Sequence, residues 1–115
     1  MAAMDLEILH IDDCPNWREA GDRLREALAC AGLGEMPIGF RLLQTAEDAA
    51  GTGFAGSPTI TVDGTDLFPS NGRTSDLACR IYVTPSGLAG LPTVDQLIER
   101  IVAHERRGDR AEAAK

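Results

Sequence analysis

Residues 5–17 read DLEILHIDDCPNW, and two different periodicities meet inside them. Over residues 5–11, Leu6, Ile8, Leu9 and Ile11 fall on both sides of an extended chain. A strand that is apolar on both sides is covered from both sides, so a central strand between helices is expected. Two aspartates and Pro15 bring it to an end. From about Pro15 to Ala31, Trp17, Ala20, Leu24, Ala27, Leu28 and Ala31 recur at steps of three and four, which is one stripe along a helix. Proline suits the first helical position, where its missing N–H would have had no partner. That puts Cys14 at the N-cap, where strand gives way to helix.

Downstream, GLGEMP stops the helix with glycines and a proline. Residues 38–45, IGFRLLQT, form a second strand candidate with imperfect alternation. The Ala/Gly-rich stretch EDAAGTGFAG is expected to hold one or two helical turns. In SPTITVDGTDLF, β-forming residues flank Asp63-Gly64, a pair that favours the left-handed conformations of a two-residue hairpin turn. Residues 69–92 carry Pro, Ser, Asn and Gly at both ends of the patch LACRIYV and read as a long inserted loop with one short strand or turn. Thr93 and Gln96 have the spacing of a capping box, and Val94, Leu97, Ile98, Ile101 and Val102 form the apolar face of a closing helix. The tail HERRGDRAEAAK has no such stripe after Val102, so the domain spans 1–105 and residues 106–115 are expected to fray. A crossover through a helix makes the first two strands parallel, and the hairpin adds an antiparallel edge.

Composition narrows the function. At 115 residues the chain has room for one domain. It is 43% apolar but only 4% aromatic, so Leu, Ile, Val and Ala must fill the core. A net charge of −7 argues against a nucleic-acid-binding face and against docking on an anionic membrane. No apolar run reaches bilayer length. The opening MAAMDLEILH lacks the basic-then-apolar order of a signal peptide, so the expected compartment is the cytoplasm. Three cysteines are too few for a secreted disulfide scaffold. No two of them form C-x-x-C and the two histidines lie far apart in sequence, so there is no zinc pattern and no cofactor is expected.

The order strand, helix, strand, short helix, hairpin, helix resembles the thioredoxin fold, an α/β three-layer sandwich whose mixed sheet of about four strands has helices on both faces. The cysteine-proline pair of DDCPNW stands where that family keeps its active-site cysteine, and Ser57-Pro58-Thr59 stands where it carries a cis-proline facing that cysteine. The likeness spans roughly residues 5–105. It implies a cis Ser57–Pro58 bond close to Cys14. It departs at one point: the second cysteine of C-x-x-C is replaced by Trp17, giving C-P-N-W. Dithiol exchange within the motif is therefore impossible, and a redox role needs one cysteine or a distant partner.

A helix N-terminus favours a thiolate, the form that attacks disulfides and binds soft metals, while Asp12 and Asp13 oppose it by placing negative charge nearby. One of these aspartates is also a candidate proton shuttle. The implied geometry returns residues 69–92 to the Cys14 side of the sheet, making Cys79 a candidate resolving thiol and Arg80 a cation beside it. Cys30 is expected to be structural and slow to alkylate, and Cys14 the fastest of the three. His10 is expected to be a satisfied, partly buried histidine, His104 to be solvated, and Trp17 to anchor the core. Three functions fit. The first is a thiol-dependent redox protein acting on a protein or small-molecule disulfide or thiol. The second resembles the organomercurial lyases, with Cys14, Cys79 and Asp13 handling a soft metal. The third is a binding module that has kept the fold and lost the chemistry.

Overall fold

The computed structural model describes residues 5–12, 14–50, 52–68 and 80–113, with side chains through Arg106 in the last helix. Its first strand, β1 (Leu6–His10), lies between two partners. The crossover helix α1 (Asn16–Cys30) returns the chain to β2 (Ile38–Leu42), parallel to β1 from Leu6↔Ile38 to His10↔Leu42. A short helix α2 (Ala46–Ala49) leads to β3 (Thr59–Val62), antiparallel on the other side of β1, and β4 (Thr65–Asp66) closes the sheet in the order β2-β1-β3-β4. The parallel pair and the antiparallel edge are those the connection rules require.

The two apolar faces of β1 feed two separate cores. Leu6 and Ile8 join Ile60 and Val62 beneath α1 and the closing helix, with Ala20, Leu24, Ala27, Leu28, Leu97 and Ile101 all buried there. Leu9 and Ile11 point the other way and cluster with Leu43, Ala49 of α2, Phe54 and Cys14. α1 and the closing helix thus pack on one face of a mixed four-stranded sheet, and the short α2 contributes Ala49 to the cluster on the other. Within α1, Gly21 allows the helix to lie on β2, since a Cβ there would stand 2.8 Å from the ring of Phe40.

The element boundaries differ from the sequence expectation for local reasons. β2 ends at Leu42 because Thr45 caps α2: its hydroxyl accepts from the Asp48 amide at 3.1 Å and the Asp48 carboxylate accepts from the Thr45 amide at 3.2 Å. The hairpin turn is as expected, with Asp63 at φ 54° and Gly64 at φ 83°. Asp63 also ties this turn to the start of β1, exchanging bonds of 2.8 and 2.9 Å with the backbone of Asp5. Beyond it, residues 80–92 hold a second hairpin, β5 (Tyr82–Thr84) and β6 (Gly87–Ala89), where one strand was expected.

The closing helix α3 (Val94–Ala113) opens with the Thr93–Gln96 capping box, at 2.9 and 3.1 Å. It continues past its apolar stripe to Ala113, into the stretch expected to fray. The alanines, glutamates and arginines of that stretch are good helix formers without any packing. No helix among the described residues is long and apolar enough to cross a membrane.

Candidate functional site

Cys14 does not cap α1. The cap is Pro15, at φ −78° and ψ −8°, and it makes no side-chain capping bond. The shift of one residue leaves Cys14 outside the helix, and its side chain joins the cluster on the α2 face of the sheet. There it is 0% exposed, and its thiol donates to the carbonyl oxygen of Ser57 at 3.6 Å. The thiol is therefore enclosed and already engaged as a donor, where an accessible group at a helix mouth was expected.

The acceptor belongs to a rigid turn. The Ser57–Pro58 peptide is cis, as the resemblance implies. The Ser57 hydroxyl accepts from the Ile11 amide at 3.1 Å, fastening the end of β1 to the start of β3. Thr59 locks the other side: its hydroxyl donates to Gly56 O at 2.5 Å and accepts from the Ala55 amide at 2.9 Å. Ser57 and Thr59 are fully buried, so each of these bonds is made without competition from water.

A second arm reaches the same carbonyl from the far side of the chain. The Arg80 amide donates to Ser57 O at 2.8 Å. Its guanidinium lies across both Asp66 carboxylate oxygens at 3.0 Å, donates to Phe68 O, and sits over the Tyr82 ring at 4.5 Å. The Tyr82 hydroxyl in turn donates to Pro58 O at 2.5 Å. Burial, opposed by the Arg80 charge, raises the Tyr82 pKa, so the phenol stays a donor. The Arg80 charge is taken up by Asp66 and is not the free cation expected beside a thiol. Gly56 makes this packing possible: at φ 107°, a Cβ there would meet Arg80 Cβ at 2.7 Å and Cα at 2.9 Å.

The structure brings Cys14 and the Ser57-Pro58-Thr59 turn together. Asp13 and Cys79, the other site residues expected from the sequence, lie outside the described residues. His10 is not part of this group, because alternation along β1 turns it to the α1 face. It is 7% exposed and stacks on Trp17, with ring centroids 4.5 Å apart and planes at 16°. Trp17 is half-buried at the rim of the main core, edge-on to Phe40.

Contrary to expectation, His10 is not satisfied: Nδ1 is buried with no partner among the described residues. Burial lowers its pKa, while the Ile11 backbone and the Asp12 charge act against that. His104 is not free in solvent but lies 3.2 Å from the Asp63 carboxylate. Cys30 is exposed. Away from Cys14, a cavity of about 200 Å³ on the α2 face is lined by Glu7, Leu9, Arg41 and Thr61, with Glu7 and Arg41 paired at 3.1 Å.

Sequence reasoning missed the Asp66–Arg80 pair and Tyr82, which no periodicity links. Among the described residues no three of His, Cys, Asp and Glu cluster as metal ligands would. The chain matches no family model, no curated protein and no solved structure.

Proposed function

We propose that this chain is a thiol-dependent redox protein of the thioredoxin type, with Cys14 as the attacking thiol and Cys79 as its resolving partner. The observation that carries the reading is the convergence on one atom: Ser57 O receives both the Cys14 thiol and the amide of Arg80, the residue that follows Cys79. The sheet order β2-β1-β3-β4, with α1 and α3 on one face and α2 on the other, supports the thioredoxin-like assignment. So does the Cys14 position between β1 and α1.

In the proposed cycle the Cys14 thiolate attacks one sulfur of a disulfide and releases the other as a thiol. Cys79 then attacks the mixed disulfide, releasing the second thiol and leaving a Cys14–Cys79 bond. Two protein thiols are oxidised and one disulfide is reduced to two thiols. Incubation with oxidised glutathione tests this. A monomer lighter by two hydrogens, with Cys14 joined to Cys79, is expected, and Cys79→Ser should trap glutathione on Cys14. A disulfide through Cys30, or none, overturns the reading.

The full burial of Cys14 favours a second reading, a binding module that retains the fold without thiol chemistry. On that reading the folded protein forms neither the disulfide nor the glutathione adduct. Cleavage of an organomercurial carbon–mercury bond, with uptake of a proton by the released carbon, would instead indicate the soft-metal function.

A further inference from the structure

We infer that Arg80 is a positioning residue for Cys14, acting through the Ser57 carbonyl: the Arg80–Asp66 pair is a latch that holds this oxygen on the thiol and keeps the thiol enclosed. The inference rests on the reading of Cys14 as the reactive group. It goes beyond that reading by naming the contact that governs when the thiol can be reached.

Four connections converge on the latch. The Arg80 amide bonds Ser57 O at 2.8 Å, and the same oxygen takes the Cys14 thiol at 3.6 Å. The guanidinium is anchored at 3.0 Å to both oxygens of Asp66, at the end of β4, and to Phe68 O just beyond it. The Tyr82 hydroxyl holds Pro58 O from the next strand. Gly56 lies so close that even a methyl group would push Arg80 away. All of these groups are buried or nearly so, and the Arg80 and Asp66 side chains are only 7% and 12% exposed. One guanidinium nitrogen on both carboxylate oxygens and the other on Phe68 O make a stiff, charge-assisted contact, and it fixes the backbone on either side of it. The thiol itself has only that carbonyl as a partner among the described residues. Whatever frees Ser57 O therefore takes away the thiol's hydrogen-bond acceptor and leaves Cys14 held only by its packing among Leu9, Ile11, Leu43 and Phe54.

The test uses the full chain and N-ethylmaleimide, with labelling at each cysteine followed by peptide mass spectrometry. Arg80→Met alone would strand the Asp66 charge and could unfold the protein. The working variant is therefore Arg80→Met with Asp66→Asn, whose amide oxygen can still accept from the Phe68 amide, as Asp66 Oδ1 does at 2.9 Å.

Cys14 labelling should rise roughly tenfold or more over wild type, the change in opening equilibrium that loss of one charge-assisted hydrogen bond corresponds to. The increase should be insensitive to low urea, because a local opening exposes little surface. Arg80→Lys keeps the charge but has no second nitrogen to hold Phe68 O while the first holds Asp66, and should fall between the two. Labelling of Cys14 at the wild-type rate overturns the inference. So does a rate that climbs with urea in step with global unfolding, since Arg80 would then be merely structural. The redox reading is scored separately by the two-hydrogen mass loss of the wild type. Faster Cys14 labelling without that loss leaves the latch standing and removes the redox function, and the converse result does the reverse.

Discussion

Ser57→Ala removes a single oxygen from the centre of the candidate site, and its effect can be worked out from the contacts. The Ser57 side chain has no exposure, and its hydroxyl accepts from the Ile11 amide at 3.1 Å. Ile11 is itself only 6% exposed, so water cannot easily replace the lost acceptor. An orphaned buried amide costs about 1–3 kcal/mol, and deleting a buried hydroxyl returns part of that, which leaves a net loss of roughly 1–2 kcal/mol. The missing atom is too small to add much cavity cost. For a domain of this length the loss corresponds to a fall in Tm of roughly 4–10 °C. Urea denaturation followed by circular dichroism gives the free energy, and Ser57→Thr, which keeps the oxygen, should recover most of it. A Ser57→Ala variant as stable as wild type would show that the β1–β3 junction does not depend on this bond. The account of how the thiol's acceptor is held would then fail with it.

Three further outcomes are expected. Leu28→Ala should cost roughly 2–5 kcal/mol in urea titration, because Leu28 is fully buried on the core side of α1, and a loss below about 1 kcal/mol would contradict that packing. In the folded protein Cys30 should label with maleimide well before Cys14, reversing the order the sequence suggested, since Cys30 is exposed and Cys14 is not; equal rates would mean that Cys14 is reachable from solvent. His10 has a lowered pKa in the folded state, so its contribution to stability is present above the unfolded value of about 6.5 and is lost as pH falls from there toward the folded value. His10→Gln should flatten the stability profile as pH falls below about 6.5, and an unchanged profile would exclude His10 as its source.

Much of the frame was legible because it is written in local terms. The two-sided apolar pattern of residues 5–11, the stripe of α1, the Asp63-Gly64 turn and the Thr93–Gln96 box each depend on residues a few positions apart. The candidate site was legible only in part. Cys14 and Pro58 stand out as residue types at element junctions. What surrounds them is decided by contacts across long stretches of chain, such as Ser57 with Ile11 and Arg80 with Asp66. The burial of Cys14 turned on one step at the helix start. With Pro15 as the cap, the thiol swings to the face of the sheet that the helix does not cover. The closing helix misled in the opposite way: loss of the apolar stripe at Val102 suggested an end, while helix propensity carries the backbone onward.

Glu7 has a consequence for how the chain avoids folding wrongly. It is the one acidic residue in β1, it lies on the more open face, and it pairs there with Arg41. Because β1 is apolar on both sides, hydrophobicity alone barely distinguishes its native alignment from one shifted by a single position. Such a shift would turn every side chain over and drive the Glu7 carboxylate among Leu24, Leu28 and Ile60. Burying that charge without a partner would cost far more than the misplaced leucines and isoleucines could recover. One carboxylate thus acts as a proofreading mark for the central strand, rejecting the wrong alignment more than it strengthens the right one.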